Sequence, residues 1–463
     1  MHHLIIGGGP AATNAIETIR EFDGGRSTIT LVGDEPAHSR MALPYWLAGR
    51  IPEAQTHTGD AAYFAQLKVA TRFGVRVAAV DPQGRTVTLS DGSKLTFDNL
   101  LIATGSSPVH PPIPGADLPG VQPLWSLAHT DRVLKYAESL PPKGRVPRVV
   151  LVGAGFIGFI VLNAMHKRKW QLAVVEREGQ VLPRMLDAPA ADHARRWLAT
   201  RDVAVHCGVT VRQIRPQPDG AKAVELSDGR SLAADIVILA TGIRPNLDLV
   251  QGSGIATGEA ILVNDRMQTN FPHVYAGGDV AQGPVLSGAE KAVHPIQPTA
   301  VDHGRVAGAN MAGHEVHYPG SLSMNVVDIC GLQGASFGRW NDAAAEATTI
   351  DNPTGFIYRK LLWTDDRISG AIFTGRANDL GMLTDVGMVK GLMQTQTRLG
   401  PWKNYLRDNP FDIRRAYVGC GVAAKLAGTT LLGRPAKARQ YRFGSAEPKV
   451  PANAAHAVFI ARR

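Results

Sequence analysis

The chain has 463 residues, of which 49 are glycine, 19% are charged and only 6% are aromatic. This length predicts two to four domains, and the composition is typical of soluble α/β enzymes rather than of disordered or fibrous chains. No run of about 18 uncharged apolar residues occurs and the net charge is +9, so we expect no transmembrane segment.

The N-terminus predicts a strand, a glycine turn and a helix. The apolar run 4–6 leads into the pattern G-x-G-x-x-A, formed by Gly7, Gly9 and Ala12. Gly7 allows a tight turn, Gly9 lets the backbone approach a pyrophosphate, and the small Ala12 lets the helix pack closely on the strand. Ordinary glycine-rich turns can imitate this pattern, so the dinucleotide site that it indicates needs further context.

The second strand, expected at 27–32, is followed by Asp34 and Glu35. An acidic residue here hydrogen-bonds the adenosine ribose of a bound dinucleotide. Either residue can serve, and we choose Glu35. The first strand begins a few residues after Met1, which leaves no room for a signal peptide. We therefore expect a cytoplasmic protein.

The same order of motifs recurs further along the chain. A strand at 148–152 enters a second glycine turn at 153–158, and Glu176 ends the strand that follows. Each copy then has a Ser-Asp-Gly hairpin turn and an Ala-Thr-Gly triplet, at 103–105 and at 240–242. A doubled order of four motifs predicts two nucleotide-binding domains in one chain.

With the stretch TNFPHVYAGGDVA at 269–281, these motifs resemble the two-dinucleotide-binding-domain flavoproteins, the pyridine nucleotide-disulfide oxidoreductase superfamily with its rubredoxin, ferredoxin and nitrite reductases. The resemblance implies an α/β fold with two Rossmann-like, three-layer domains and a C-terminal α+β interface domain. The expected bounds are 1–120 and 245–320 for the FAD-binding domain, 121–244 for the NAD(H)-binding domain, 321–400 for the interface domain and 401–463 for a basic C-terminal extension.

The resemblance also assigns cofactor-binding residues. Those implied for FAD are Gly7, Gly9, Pro10, Ala11, Glu35, Arg40, Ala103, Thr104, Gly105 and Asp279. Those implied for a nicotinamide dinucleotide are Gly153, Gly155, Ile157, Gly158, Glu176 and Gly242. A carboxylate at 176 accepts from the 2′-OH of NADH and repels the 2′-phosphate of NADPH, which favours NADH. The neighbouring Arg177 could instead hold that phosphate.

Two residues depart from the family pattern. The redox cysteine of the disulfide-reducing members precedes a Gly-Leu-Pro-Tyr-like run, and alignment on Leu43-Pro44-Tyr45 puts Met41 in its place. A thioether cannot exchange with a disulfide, so the flavin carries the chemistry and we expect no catalytic protein residue. Ile160 replaces a glutamate near the nicotinamide, and the lysine that often pairs with it is absent. Either the nicotinamide pocket is more apolar than in these relatives, or the NADH site is weakened or altered.

The three cysteines, Cys207, Cys330 and Cys420, form no C-x-x-C pair, so we expect neither a disulfide framework nor a metal site. We interpret them as buried, unreactive thiols. Cys330 could in principle approach the flavin from the interface domain, although nothing in its spacing supports this.

The basic charge belongs to the end of the chain. Residues 398–463 contain 13 Lys and Arg against 3 Asp and Glu. This segment is either a solvated surface or a docking face for an acidic redox protein, a partner subunit or an anionic membrane surface. The resemblance also implies a homodimer, and we expect no nucleic-acid partner.

The resulting hypothesis is an FAD-dependent oxidoreductase that takes hydride from NADH and passes electrons to a non-disulfide acceptor. Candidate acceptors are an iron-sulfur protein, rubredoxin, a quinone or a partner subunit. One alternative is an NADH oxidase or peroxidase, and another is a flavin-bearing assembly subunit in which Ile160 marks a lost nicotinamide function.

Overall fold

A parallel five-stranded sheet forms the N-terminal layer of the computed structural model, which describes residues 1–433 except 143, 287, 289, 429 and 430. The elements up to the first domain crossing are β1 (His2–Ile6), α1 (Pro10–Asp23), β2 (Thr28–Gly33), α2 (Leu43–Leu47), α3 (Ala61–Gln66), β3 (Val69–Phe73), β4 (Val77–Asp81), β5 (Thr86–Leu89), β6 (Lys94–Thr96), β7 (Asn99–Ile102) and β8 (Ser106–Pro108). The sheet places β1 at its centre between β2 and β7. Both faces of β1 are covered, which explains its unbroken apolar run.

A second parallel five-stranded sheet follows. Its segment contains β9 (Val121–Gln122), α4 (Leu127–Ser139), β10 (Arg148–Val152), α5 (Phe156–Lys167), β11 (Gln171–Glu176), α6 (Ala188–Ala199), β12 (Val203–Cys207), β13 (Val211–Pro216), β14 (Lys222–Leu226), β15 (Ser231–Ala234) and β16 (Ile236–Leu239). The order β12-β11-β10-β16 repeats the order β3-β2-β1-β7 of the first sheet. The doubled motif order of the sequence is therefore a doubled fold.

The chain then returns to the first sheet. This return contains β17 (Ile243–Pro245), β18 (Ile261–Leu262), β19 (Val274–Ala276), β20 (Ala281–Pro284), β21 (Lys291–Ala292) and α7 (Gln297–Met311). Outgoing β8 and returning β17 pair antiparallel, so the two crossings between the sheets run side by side. Helix α7 packs against α1, where a Cβ on Gly304 would lie 2.1 Å from the carbonyl oxygen of Ala11. Only glycine permits this approach.

The C-terminal part is an antiparallel sheet in the order β22-β23-β26-β25-β24, with helices on it. Its elements are β22 (Met324–Ile329), β23 (Leu332–Gly338), β24 (Glu346–Asn352), β25 (Ile357–Thr364), β26 (Arg367–Arg376), α8 (Leu380–Gln394), α9 (Pro401–Asp408), α10 (Ile413–Gly419) and α11 (Val422–Gly428). The predicted fold class is confirmed, whereas the bounds assigned to the domains stay a prediction. None of the helices in the described ranges is both long and apolar enough to cross a bilayer.

The beginning of the basic extension is folded. Helices α9 to α11 pack with α8 around the fully buried side chains of Leu406, Ile413, Ala416 and Val422. Two of its basic residues, Lys403 and Arg407, lie 2.8 and 3.3 Å from the carboxylate of Glu346. The sequence pattern did not predict α9 or α10. The sequence at 422–432 predicts one short helix; α11 begins at Val422 and ends at Gly428, and residues 429 and 430 lie outside the described ranges.

Candidate functional site

A cleft that is open to solvent follows the carboxyl edge of the first sheet. Its walls come from the first glycine turn, the loop after β2, the loop after β7 and the turn before α7. All ten residues predicted to bind FAD line it: Gly7, Gly9, Pro10, Ala11, Glu35, Arg40, Ala103, Thr104, Gly105 and Asp279. Chain segments that are far apart in the sequence therefore converge where an α/β sheet places its ligands.

The first glycine turn has the geometry that its spacing predicts. Gly7 has φ +100°, and a Cβ there would lie 2.2 Å from the carbonyl oxygen of Ala103. A Cβ on Gly9 would meet no atom within 4 Å, because this residue faces the open cleft. Helix α1 begins at Pro10, so its first amides point toward the same space. The turn is a cradle for a pyrophosphate.

The loop after β2 brings two acidic residues to the cleft. Asp34 forms an exposed ion pair with Arg76 at 3.0 Å, whereas Glu35 lies deeper, 3.7 Å from the imidazole of His38. Burial lowers the pKa of His38, so this ring is neutral at pH 7 and does not neutralise the charge of Glu35. Glu35 is thus the better placed of the two to accept from a ribose hydroxyl.

Arg40 and Asp279 meet on the opposite wall. The Nη1 atom of Arg40 lies 3.5 Å from Oδ2 of Asp279. The Nε atom of Arg40 is buried and has no hydrogen-bond partner among the described residues. A cationic side chain with an unsatisfied donor beside a glycine-turn cradle suits an anionic ligand. The residues present therefore fit the pyrophosphate and the hydroxyl groups of a flavin dinucleotide.

Helix α7 fixes the turn that carries Asp279. Its His303 ring is fully buried, and Nδ1 accepts a hydrogen bond from the backbone nitrogen of Gly278 at 3.3 Å. Burial lowers the pKa of His303 to about 3, and it also lowers the pKa of His294. Both histidines are neutral at pH 7, and His303 has a structural role. The sequence pattern predicts a helix over 298–311 with Pro298 as its first residue, but α7 begins one residue earlier, at Gln297.

The second glycine turn repeats the first. A Cβ on Gly153 would lie 2.4 Å from the carbonyl oxygen of Ala240, and a Cβ on Gly158 would lie 2.4 Å from that of Gly153. Gly155 faces open space, Ile157 lies in the first turn of α5, and Gly242 has φ +118°. These residues come together at the carboxyl edge of the second sheet, as their spacing predicts.

Glu176 is held by the backbone of this second turn. The nearly buried carboxylate accepts from the backbone nitrogen of Ala154 at 2.6 Å and from that of Glu178 at 2.9 Å. A carboxylate has about four acceptor positions, so capacity remains for a ribose hydroxyl. The neighbouring Arg177 side chain is exposed and pairs with Glu178 at 3.1 Å.

Comparison with known proteins decides the family. Residues 1–304 match the model of the pyridine nucleotide-disulphide oxidoreductases. The chain belongs to this family. It is therefore a member of a family of NAD(P)H-dependent flavin oxidoreductases that bind FAD and NAD(P)H.

Individual relatives match most of the chain. The NADH-dependent phenylglyoxylate dehydrogenase subunit epsilon of Aromatoleum evansii is 30% identical over 418 residues, which cover 89% of this chain and 96% of the relative. An NADH oxidase of Methanocaldococcus jannaschii is 32% identical over 342 residues, or 72% and 75% of the two chains. Among solved structures, an NAD-dependent persulfide reductase from A. fulgidus aligns with TM-score 0.77 and 28% identity over 85% of this chain and 77% of its own.

Met41, which the family resemblance aligns with a redox cysteine, is a thioether in a position away from the cleft. Met41 lies in a short 3₁₀ turn before α2, 43% exposed, and it does not line the cleft. None of the three cysteines lines the cleft either. Cys330 is buried in the turn between β22 and β23, and burial raises its pKa to about 12. Cys207 and Cys420 are half-buried rather than buried, and burial raises their pKa values as well.

Three residues around the cleft carried no sequence signal. Asn246, just after the second crossing, donates to the carbonyl oxygen of Thr104 at 2.7 Å and accepts from the Ser107 hydroxyl at 2.7 Å. The Ser106 hydroxyl donates to the Asp279 carboxylate, and the Trp125 ring packs against the Arg40 guanidinium. None of them belongs to a spaced motif, and only the tertiary structure brings them to the site.

Proposed function

We propose that this chain is an FAD-dependent oxidoreductase that takes hydride from NADH and passes electrons through the flavin to an acceptor that is not a disulfide. One observation carries the proposal. Alignment on Leu43-Pro44-Tyr45 puts Met41 where the resemblance implies a redox cysteine, and no cysteine lines the cleft whose walls contain the residues implied for FAD. Disulfide exchange needs a thiolate beside the flavin.

The chain's own residues bind and orient the cofactor. The amides at the start of α1 and the open side of Gly9 receive the pyrophosphate, with Arg40 as its counter-charge. Glu35 and Asp279 accept hydrogen bonds from ribose and ribityl hydroxyls. When bound, the flavin supplies the redox chemistry, because it accepts a hydride and can release electrons one at a time.

Two features support NADH rather than NADPH. The charge of Glu176 repels a 2′-phosphate, and its carboxylate is held in place by two backbone amides. Arg177, the cation that could hold that phosphate, is paired with Glu178. To bind Arg177, the 2′-phosphate of NADPH would have to displace the Glu178 carboxylate.

The nicotinamide region lacks the usual charged pair. Ile160 lies on α5, half-buried and packed against the buried apolar core of the second nucleotide-binding unit. An apolar side chain here excludes water from the nicotinamide without supplying a charge. This arrangement supports hydride transfer in an apolar pocket over a lost nicotinamide function.

For the acceptor, we infer a partner subunit or an acidic iron-sulfur protein, with rubredoxin and a quinone as further candidates. The relative from Aromatoleum evansii is itself a subunit, and it matches along nearly its whole length. Residues 434–463 add seven Lys and Arg against one Glu, a surplus that attracts an acidic partner. The homodimer and the cytoplasmic location stay predictions.

The first experiment adds NADH without air to the purified holoprotein and follows the visible flavin band. Loss of the band supports the oxidoreductase, and a stronger response to NADH than to NADPH supports the cofactor choice. An unchanged spectrum contradicts the proposal and favours a flavin-bearing assembly subunit. A preference for NADPH would overturn the role given to Glu176.

The second experiment tests the acceptor. The reduced protein is mixed in turn with an acidic ferredoxin, a low-molecular-weight disulfide and oxygen, and reoxidation of the flavin is timed. We expect the ferredoxin to be fastest, with a rate that falls as salt rises. Fast disulfide reduction contradicts the proposal, and fast reaction with oxygen alone favours the NADH oxidase alternative.

Truncation then tests the docking role of the extension. A chain that ends at residue 433 keeps α9 to α11 and removes the basic segment. If its rate with ferredoxin and its salt dependence equal those of the full chain, the segment is not the docking face.

A further inference from the structure

Four side chains on one wall of the cleft form a closed ring of contacts. The indole nitrogen of Trp125 donates to the backbone carbonyl of Ser106 at 2.7 Å. The hydroxyl of Ser106 donates to Oδ2 of Asp279 at 2.6 Å. Asp279 attracts the Arg40 guanidinium, and this guanidinium lies 4.2 Å above the Trp125 ring. Each residue therefore limits the movement of the next.

The ring joins four separate parts of the chain. Arg40 lies in the 3₁₀ turn before α2, and Ser106 begins β8 at the domain crossing. Trp125 precedes α4 in the second nucleotide-binding unit, and Asp279 lies in the turn before β20. Through Trp125, the second unit therefore contacts Arg40, a residue that lines the first unit's cleft.

Two of the four residues in this ring of contacts line the cleft, and the other two contact the cleft only through them. Arg40 and Asp279 line it, whereas Ser106 and Trp125 do not. Trp125 is half-buried and Ser106 is almost fully buried. The two residues behind the wall can act on a bound ligand only through the two in front.

The ring also determines which atoms are available to a ligand. The contacts to the Asp279 carboxylate both use Oδ2, so Oδ1 remains an acceptor. The flat face of the guanidinium is covered by the indole, which leaves the edge donors of Arg40 for a ligand. At neutral pH the pyrophosphate carries the formal negative charges of FAD, so it is the group that these donors attract.

We propose that Trp125 is a positioning residue for the flavin nucleotide, which holds Arg40 toward the pyrophosphate and, through Ser106, holds Asp279 toward a ribityl hydroxyl. This inference rests on the proposed FAD function. It assigns to Trp125 no contact with the cofactor and no part in the chemistry.

The expected effect on FAD binding follows from the two interactions of the indole. Trp125→Ala removes the ring face and the hydrogen bond, and we expect the dissociation constant of FAD to rise about 10- to 30-fold. Trp125→Phe keeps a ring face over Arg40 and loses only the hydrogen bond, so we expect a rise of about 3- to 5-fold.

A matched control exists elsewhere in the chain. Trp197 stacks under Arg201 at 4.3 Å and donates its indole hydrogen to the carbonyl of Cys330 at 3.2 Å, but it does not line the cleft. Trp197→Phe therefore makes the same chemical change, with the same two kinds of contact, at a more buried position that does not line the cleft. We expect its FAD dissociation constant to stay within about twofold of the wild-type value.

The test titrates flavin-free protein with FAD and follows flavin fluorescence, with wild-type protein measured first. Wild-type protein that does not bind FAD contradicts the proposed function itself. Wild-type binding with unchanged affinity in both Trp125 variants contradicts only the inference. Melting temperatures with and without FAD separate positioning from folding. A positioning role reduces the increase that FAD produces and leaves the flavin-free melting temperature near that of the wild-type protein.

A double-mutant cycle tests whether Trp125 acts mainly through Arg40. We expect Trp125→Ala to weaken FAD binding no more than about threefold in an Arg40→Ala background. An equal loss in both backgrounds would overturn the positioning role. Arg40→Lys keeps the charge but loses the planar stack, so it should be less sensitive to Trp125→Ala than the wild-type protein is.

Discussion

The Nδ1 atom of His303 lies 3.3 Å from the backbone nitrogen of Gly278, the residue before Asp279, and accepts its hydrogen. The ring is fully buried and packs edge-on against Tyr318, with centroids 5.0 Å apart. Only a neutral imidazole with a free lone pair on Nδ1 can accept this bond. The turn that carries Asp279 therefore depends on His303 remaining unprotonated.

This dependence predicts acid sensitivity. Burial lowers the pKa of His303 from about 6.5 in the unfolded chain to about 3 in the folded one. The histidine's contribution to stability is complete above pH 6.5 and is lost as the pH falls toward 3, because the unfolded chain takes up a proton that the folded chain excludes. Between pH 7 and pH 5, the loss from this group amounts to ~2 kcal/mol.

His303→Gln should remove that part of the acid sensitivity, since an amide oxygen can accept from Gly278 but does not titrate. Urea unfolding of the flavin-free protein at pH 7 and pH 5 measures the difference. The exposed His110→Gln serves as control and should keep the wild-type dependence. If His303→Gln loses as much stability as the wild type, the histidine is not the titrating group.

Cys330→Ser should retain NADH-driven electron transfer within about twofold, because a buried thiol with a pKa of about 12 supplies no thiolate at neutral pH. In the native protein, a thiol reagent should modify the half-buried Cys207 and Cys420 before Cys330. Loss of turnover in a Cys330→Ser variant that still binds FAD would show that the interface domain does supply a redox thiol.

Glu176→Gln should weaken the discrimination between NADH and NADPH. The amide keeps one acceptor for the turn backbone but no longer repels a 2′-phosphate. We expect the ratio of kcat/KM for NADH to that for NADPH to fall about tenfold, which corresponds to ~1.4 kcal/mol. Glu138→Gln, an exposed change on α4, is the control. An unchanged ratio in Glu176→Gln would place the specificity elsewhere.

Leu406→Ala should destabilise the chain by ~2–5 kcal/mol, because Leu406 is fully buried between α9 and the helices around it. Val418→Ala, on the neighbouring helix, changes a side chain that is 66% exposed and should stay within ~0.5 kcal/mol of the wild type. Denaturant unfolding compares the two. Equal effects would mean that α9 to α11 do not share a core with α8.

The sequence predicts the parts of the site that depend on local geometry. A glycine at position 7 or 153 is required because the neighbouring strand approaches within 2.4 Å of the missing Cβ, and such a requirement appears in the sequence as a fixed spacing. The ten residues that the family resemblance implies for FAD also lie together at one cleft, although the segments that carry them are far apart in the sequence. Their roles in binding stay a prediction.

Other features have no local pattern. Trp125 meets Arg40 only because two nucleotide-binding units pack together, and no spacing in the sequence encodes that contact. Strand β3 is mostly exposed and β24 is a mostly polar edge strand, so neither shows the apolar alternation that predicts a strand. Helix α9 has only eight residues, too few for a clear helical period.

The paired crossings between the two sheets have a consequence for the order of folding. The backbone nitrogen of Val109 donates to the carbonyl oxygen of Gly242 at 2.9 Å, so the inserted segment begins and ends at one point. Strand β7 must find β19, with Leu100 opposite Val274. Once the insert has folded, the flexible loop between β7 and β19 contains about 40 residues instead of about 170. The entropic free-energy cost of closing this loop then falls by ~1.2 kcal/mol. Early folding of the second unit thus favours completion of the first sheet.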